Sequence, residues 1–216
     1  MEQKILFQKN AHVIAANGQL VGTLERVVLN PETKVVTDIV VRAGTLFNKE
    51  ARVVPVELVA EAVEDQIVLS DRAGEIESYP PFEERHLVDA NGETDQPAKN
   101  VAPVVYGNPG FGPMVVAAPG EQFVTKIEQN IPEGTVAMKE GASVITADGK
   151  HVGNVERVLA DSSVDQITDL VISTGLFNRE MRLIPIKWVM TVGEDKVHLR
   201  VKKVSIEDRD TTPIAG

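Results

Sequence analysis

The densest grouping of titratable side chains is Phe82-Glu83-Glu84-Arg85-His86, with Asp89 close behind. Carboxylates and an imidazole can together bind a divalent cation. Here their spacing matches no defined metal motif, and a solvated charged turn is the simpler reading; no metal is expected. The remaining histidines are His12, His151 and His198. No HExxH, GxSxG, phosphate-loop or dinucleotide-binding glycine pattern occurs. The chain has no cysteine, which removes thiolate chemistry and disulfides. These residues predict a non-enzymatic protein without a cofactor.

A second constellation occurs twice. Glu25, Asp38 and Arg52 in the first half correspond to Glu156, Asp169 and Arg182 in the second. Charges kept in both copies read as cross-strand ion pairs that fix register. The alternative is a polar patch that docks a partner.

These residues sit inside an internal repeat. The stretch from Ala11 to Gly44 aligns with Ala142 to Gly175 at an offset of 131, with 14 of 34 positions identical. Gly18/Gly149, Gly22/Gly153 and Arg26/Arg157 are among the matches. Thr45 is one extra residue in the first copy, after which Leu46–Val59 aligns with Leu176–Val189 at an offset of 130. His12 aligns with Ser143 and His151 with Leu20, so neither histidine belongs to the repeated pattern.

Each copy reads as β-structure. Asn17-Gly18 and Asp148-Gly149 are hairpin turns. Gly22 and Gly153 lie inside the next strand and predict a bulge or bend. Val35–Val41 is β-branched, Pro55 starts a short turn or helical piece, and Ile67–Ser70 is a final strand. Five or six short strands per copy are expected to close into a small barrel and hide their edges. Residues 80–130 carry seven of the twelve prolines and read as a long Pro/Gly-rich connector. The expected organisation is therefore all-β: residues 1–79, a connector over 80–130, and residues 131–216, with Val136–Lys139 a strand of its own.

The repeated pattern resembles the PRC-barrel family. The residues that carry it are Gly18-x-x-x-Gly22-x-x-Glu25, Thr37-Asp38-Ile39-Val40-Val41 and Arg52-Val53-Val54-Pro55-Val56-Glu57-Leu58-Val59, with their counterparts Gly149, Gly153, Glu156, Thr168–Ile172 and Arg182–Val189. The resemblance covers about 70 residues in each half. It implies two tandem PRC-type barrels. That family is known from the cytoplasmic domain of the photosynthetic reaction-centre H subunit and from a ribosome maturation factor, so it implies protein binding rather than an activity. The chain is similar to free-standing bacterial tandem-barrel proteins.

Charge narrows the partners. With 22 basic and 32 acidic residues the formal charge is −10. Such a surface repels phosphate backbones, so nucleic acid is disfavoured. No apolar run approaches the ~20 residues of a membrane helix, and no signal peptide is visible; a cytoplasmic protein without membrane insertion is expected. The expected function is protein–protein interaction or scaffolding, through a partner protein or a second copy of the chain. The candidate contact residues are Trp188, which replaces Leu58 of the first copy, and Tyr106, Phe111 and Met114 of the connector. The alternatives are a ribosome- or RNA-processing-associated factor, and a ligand-binding protein or enzyme with a site between the barrels.

Overall fold

The computed structural model describes residues 4–45, 48–63, 65–89, 96–97, 106–108, 111–114, 123–174 and 180–207. Met1–Phe82 and Ile131–Gly216 together make one compact unit, and Glu83–Asn130 makes a second. The fold is all-β, with a single short α-helix and a few 3-10 turns among the described residues.

In chain order the first half contains β1 (Lys4–Gln8), β2 (His12–Ile14), β3 (Leu20–Leu29), β4 (Val36–Thr45), β5 (Asn48–Pro55), β6 (Val59–Val63) and β7 (Gln66–Leu69). The second unit contains β8 (Glu83–Asp89), β9 (Gln96–Pro97), β10 (Tyr106–Asn108), β11 (Phe111–Met114) and β12 (Phe123–Gln129). The second half contains β13 (Val136–Lys139), β14 (Ser143–Ile145), β15 (His151–Asp161), β16 (Gln166–Thr174), β17 (Glu180–Pro185), β18 (Val189–Val192), β19 (Lys196–Leu199) and the helix α1 (Lys203–Glu207).

The two halves keep one strand order. The first sheet runs β5-β4-β3-β2-β7-β6 and the second β17-β16-β15-β14-β19-β18. Both contain one parallel pair, β2 with β7 and β14 with β19. Irregularities recur at matching places. The ladders of β2 with β3 and of β14 with β15 shift register beside Gly22 and Gly153. Those of β3 with β4 and of β15 with β16 shift around Glu25 and Glu156. Beyond the latter bulges, Asp38 faces Val28 and Pro55, while Asp169 faces Leu159 and Pro185. The extra Thr45 leaves the flanking ladder intact: Ala43 faces Glu50 and Thr174 faces Glu180. The sequence also suggests equivalent hairpin tips at Asn48-Lys49 and Asn178-Arg179; Asn48 and Lys49 open β5, while Asn178 and Arg179 lie outside the described residues.

Neither sheet closes into a barrel, which corrects the expectation from the sequence. Pro55 and Pro185 end the outer strands and lead into the 3-10 turns Val56–Leu58 and Ile186–Trp188. A proline has no N–H to extend a ladder, so the chain turns over the sheet instead of completing it.

The sequence also left β1 unread, and β1 explains how the halves join. β3 has ten residues and β2 only three, so β2 covers only the Leu20–Thr23 end of one β3 edge. The rest of that edge is paired by β13, with Ala137 opposite Val28 and Met138 opposite Val27. In the other half β1 does the same for β15, with Leu6 opposite Leu159 and Phe7 opposite Val158. Each half therefore sends its leading strand into the sheet of the other. The links are reinforced at Val36 and Ile167, whose N–H groups donate to Asp165 O at 2.8 Å and Lys34 O at 2.9 Å. Phe7, Leu24, Val27, Ile39, Met138, Val158, Leu170 and Ile184 belong to one continuous buried cluster.

The second unit centres on an antiparallel ladder of β8 with β12, extended by β9, and a separate hairpin of β10 with β11.

The bend glycines give a direct test. A Cβ on Gly153, whose φ is +150°, would lie 2.2 Å from Ser173 O, and one on Gly22 would lie 2.5 Å from Arg42 O. Backbone cannot retreat from such a contact without disturbing the ladder. Gly153→Ala should cost about 2 kcal/mol, lowering Tm by roughly 4–8 °C in a chain of this size. Thermal unfolding followed by circular dichroism reads this, and an unchanged Tm contradicts the close approach.

Candidate functional site

The trio that repeats in both halves does not converge on one site. Glu25 bonds Arg42 across β3 and β4, with Arg42 Nη2 at 2.9 Å from its carboxylate. Glu156 accepts instead from Ser173 Oγ at 2.8 Å. Both acids sit on the bulge, which turns their side chains toward the neighbouring strand. Arg52 pairs with Glu50 and donates to Tyr79 O at 2.9 Å; Arg182 pairs with Glu180 and donates to Ile206 O at 2.9 Å. These arginines tie the segment after each sheet back onto its outer strand. Asp38 is buried, and burial, with the nearby charge of Glu57, raises its pKa.

The cluster at Phe82–Asp89 divides. Phe82 is buried in the first unit. Glu84 accepts from Asn130 Nδ2 at 3.0 Å in the second. His86 and Asp89 lie in β8 opposite Lys126 and Phe123, and their side chains are outside the described residues. Among the described residues no group of three His, Asp or Glu side chains is placed to hold a metal ion.

Of the candidate contact residues, Trp188 is half-buried in the turn Ile186–Trp188 and packs against the main core, as Leu58 does in the first half. Tyr106 faces Met114 and Phe111 faces Asn108 in the β10–β11 hairpin. The side chains of Tyr106, Phe111 and Met114 lie outside the described residues.

Sequence reading missed the place where the leading strands cross. Lys9 and Asn10 join β1 to β2, and Glu140 and Gly141 join β13 to β14 at the matching point. Asn10 and Gly141 both take positive φ, 57° and 75°. The two crossings are bonded to each other: Asn10 N–H donates to Glu140 Oε1 at 2.6 Å. Burial pushes the Glu140 carboxyl up to about 7, against the pull of the Asn10 N–H and Lys9; Glu25 adds to the rise and Arg42 opposes it. The only sequence signal was that offset of 131, extended upstream to pair Lys9 with Glu140.

Beside the crossing a cavity of about 250 Å³ opens between Gln8, Lys9, Asn10, Glu156, Arg157 and Met181. A second, of about 330 Å³, lies between β1, β6 and the Ser162–Asp165 turn.

Comparison with known families separates the two halves. Residues 9–76 match the PRC-barrel domain. Residues 138–207 match a different model, described as an uncharacterized protein conserved in bacteria (DUF2171). No curated protein matches the chain. The matched segments coincide with the two sheets and leave out β1 and the whole of the second unit. No helix among the described residues is long and apolar enough to cross a membrane.

Glu140 makes the crossing sensitive to pH. With a folded pKa of about 7 against 4.5 for an ordinary glutamate, the folded chain holds a proton that the unfolded chain has released. Stability therefore falls as pH rises through that window. Allowing for solvent screening of a half-buried group, the loss is about 1–2 kcal/mol. Denaturant unfolding at pH 5 and pH 8 should show this loss in the natural chain and its absence in Glu140→Gln, which keeps an acceptor for Asn10. Parallel pH profiles in the two proteins contradict it.

Proposed function

We propose that this chain is a non-catalytic protein-interaction or scaffolding protein, built of two PRC-like modules joined by the 80–130 segment and acting in the cytoplasm. The observation that carries the reading is an asymmetry between halves of equal strand order. Among the described residues, Leu20 and Val63 are the large apolar side chains left exposed in the first half; in the second they are Val164, Leu183, Met190 and Val204. Equivalent frameworks with different surfaces suit two different contacts, and exposed apolar side chains beyond the needs of a core suit docking. The match of residues 9–76 to the PRC-barrel domain and the protein-binding roles of that family support the same reading. The acidic balance of −10 favours a protein partner over nucleic acid.

The reading is tested by affinity capture of the full chain from its native cell, with mass measurement of the intact complex. A stoichiometric complex with another protein, or with a second copy, is expected. A monodisperse monomer that captures no protein overturns it.

A further inference from the structure

The first half shows what the outer face of such a sheet binds. After β7 the chain returns along the free edge of β5. Val53 N–H donates to Pro80 O at 3.1 Å and Phe82 N–H donates to Ala51 O at 2.7 Å, with Pro81 bridged to Arg52. This three-residue extended segment places Phe82 on an apolar stripe of Val28, Val40, Val53 and Ala137. The guanidinium of Arg26 stacks over the ring, 4.8 Å from its centroid. The arrangement is strand addition with one aromatic anchor, and the chain supplies the peptide itself.

The second half has the same stripe, and among the described residues nothing takes the place of Phe82. The counterparts of Val28, Val40, Val53 and Ala137 are Leu159, Val171, Leu183 and Leu6, at the offsets of the repeat. Val171 is as buried as Val40, and Leu6 and Leu159 are half-buried; the difference lies at the outer strand, where Val53 is 4% exposed and Leu183 is 44% exposed. β17 pairs with β16, and its other edge has no strand partner among the described residues. The counterpart of Arg26 is Arg157, and that of Ala51 is Met181; both line the 250 Å³ cavity. A cavity on the order of 150 Å³ is enough for a benzene-sized ring. The opening thus lies between the two residues whose counterparts stack on Phe82 and bond its backbone.

We propose that the β17 edge and this cavity bind an extended, proline-containing segment of a partner protein, with an aromatic side chain seated against Arg157 and Leu183. The proposal names the site and ligand class of the interaction reading above, and rests on it. The chain's own tail is a poorer occupant: at the offset of 130, Phe82 corresponds to Thr212, whose side chain cannot cover an apolar stripe. A second copy is also disfavoured. Antiparallel pairing of two β17 strands through Met181 and Leu183 sets Arg182 against Arg182, and like charges directly opposite are destabilising.

The probe is a synthetic peptide of the chain's own residues 76–84, Ile-Glu-Ser-Tyr-Pro-Pro-Phe-Glu-Glu, carrying a fluorophore and titrated with the full chain. Saturable binding is expected. A peptide with Phe82→Ala and a chain with Leu183→Asp should each weaken it at least tenfold, while Thr191→Asp, at an exposed position of β18, leaves it unchanged. Leu183 is exposed, so an unchanged circular dichroism spectrum and Tm will establish that Leu183→Asp folds. Absence of saturable binding, or binding indifferent to Phe82→Ala and Leu183→Asp, overturns the proposal. So does binding that appears only when residues 208–216 are deleted, which assigns the face to the chain's own segment around Thr212. Conversion of a dimer to a monomer by Leu183→Asp assigns it to a second copy. A partner captured equally by the natural chain and by Leu183→Asp retires this site and leaves the interaction reading standing.

Discussion

The unpaired edges of β3 and β15 are the constraint from which the arrangement of the halves follows. Each of these strands is about three times the length of the neighbour that starts on its edge. The uncovered stretches, Arg26–Leu29 and Arg157–Asp161, carry core residues on one face and peptide groups along the edge. A buried peptide group without a partner costs about 1–3 kcal/mol, so a half standing alone would lose several such bonds together. The leading strand of the other half supplies them. The same exchange buries Phe7 of β1 and Met138 of β13 inside the shared cluster. Hydrogen bonding and burial thus act on the same few residues.

The exchange also explains the chemistry at the crossings. For β1 to leave one sheet and β2 to enter the other, the chain must reverse within two residues, and Asn10 and Gly141 supply the positive φ. Two reversals packed side by side take Glu140 partly out of bulk water, with the exposed Lys9 nearby. The pair is complementary, yet the carboxyl remains well above its ordinary pKa because desolvation outweighs the lysine. A charged junction of this kind couples the two halves and makes the coupling depend on pH.

Much of the framework was legible because turn and bend residues report backbone shape directly. Asn17-Gly18 and Asp148-Gly149, the glycines at 22 and 153, and Pro55 with Pro185 each stand where a turn, bulge or strand end requires them. Barrel closure was not legible: it depends on which edges meet in space, and a proline that ends a strand has no pattern that distinguishes a closing strand from an open one. The role of β1 was hidden because its partner lies about 150 residues away and its sequence, Lys-Ile-Leu-Phe-Gln, shares no identity with Val-Ala-Met-Lys at the repeat offset. The face proposed for a partner was hidden for a related reason. It is defined by what the second half lacks at the position of Phe82, and that becomes visible only when the two sheets are compared. Trp188, the most conspicuous difference between the halves in sequence, turns out to pack on the core.

The central claim is that the two sheets form one cooperative unit. Trp188 is the only tryptophan and lies in the second half, whereas Ile39 is fully buried in the first. Guanidinium unfolding of Ile39→Ala, followed by Trp188 fluorescence and by far-ultraviolet circular dichroism, tests that claim most directly. The exchange predicts that both signals move to one lower midpoint, by an amount matching about 2–5 kcal/mol for a buried truncation. A Trp188 transition that stays at the midpoint of the natural chain while the dichroism splits into two steps would contradict it.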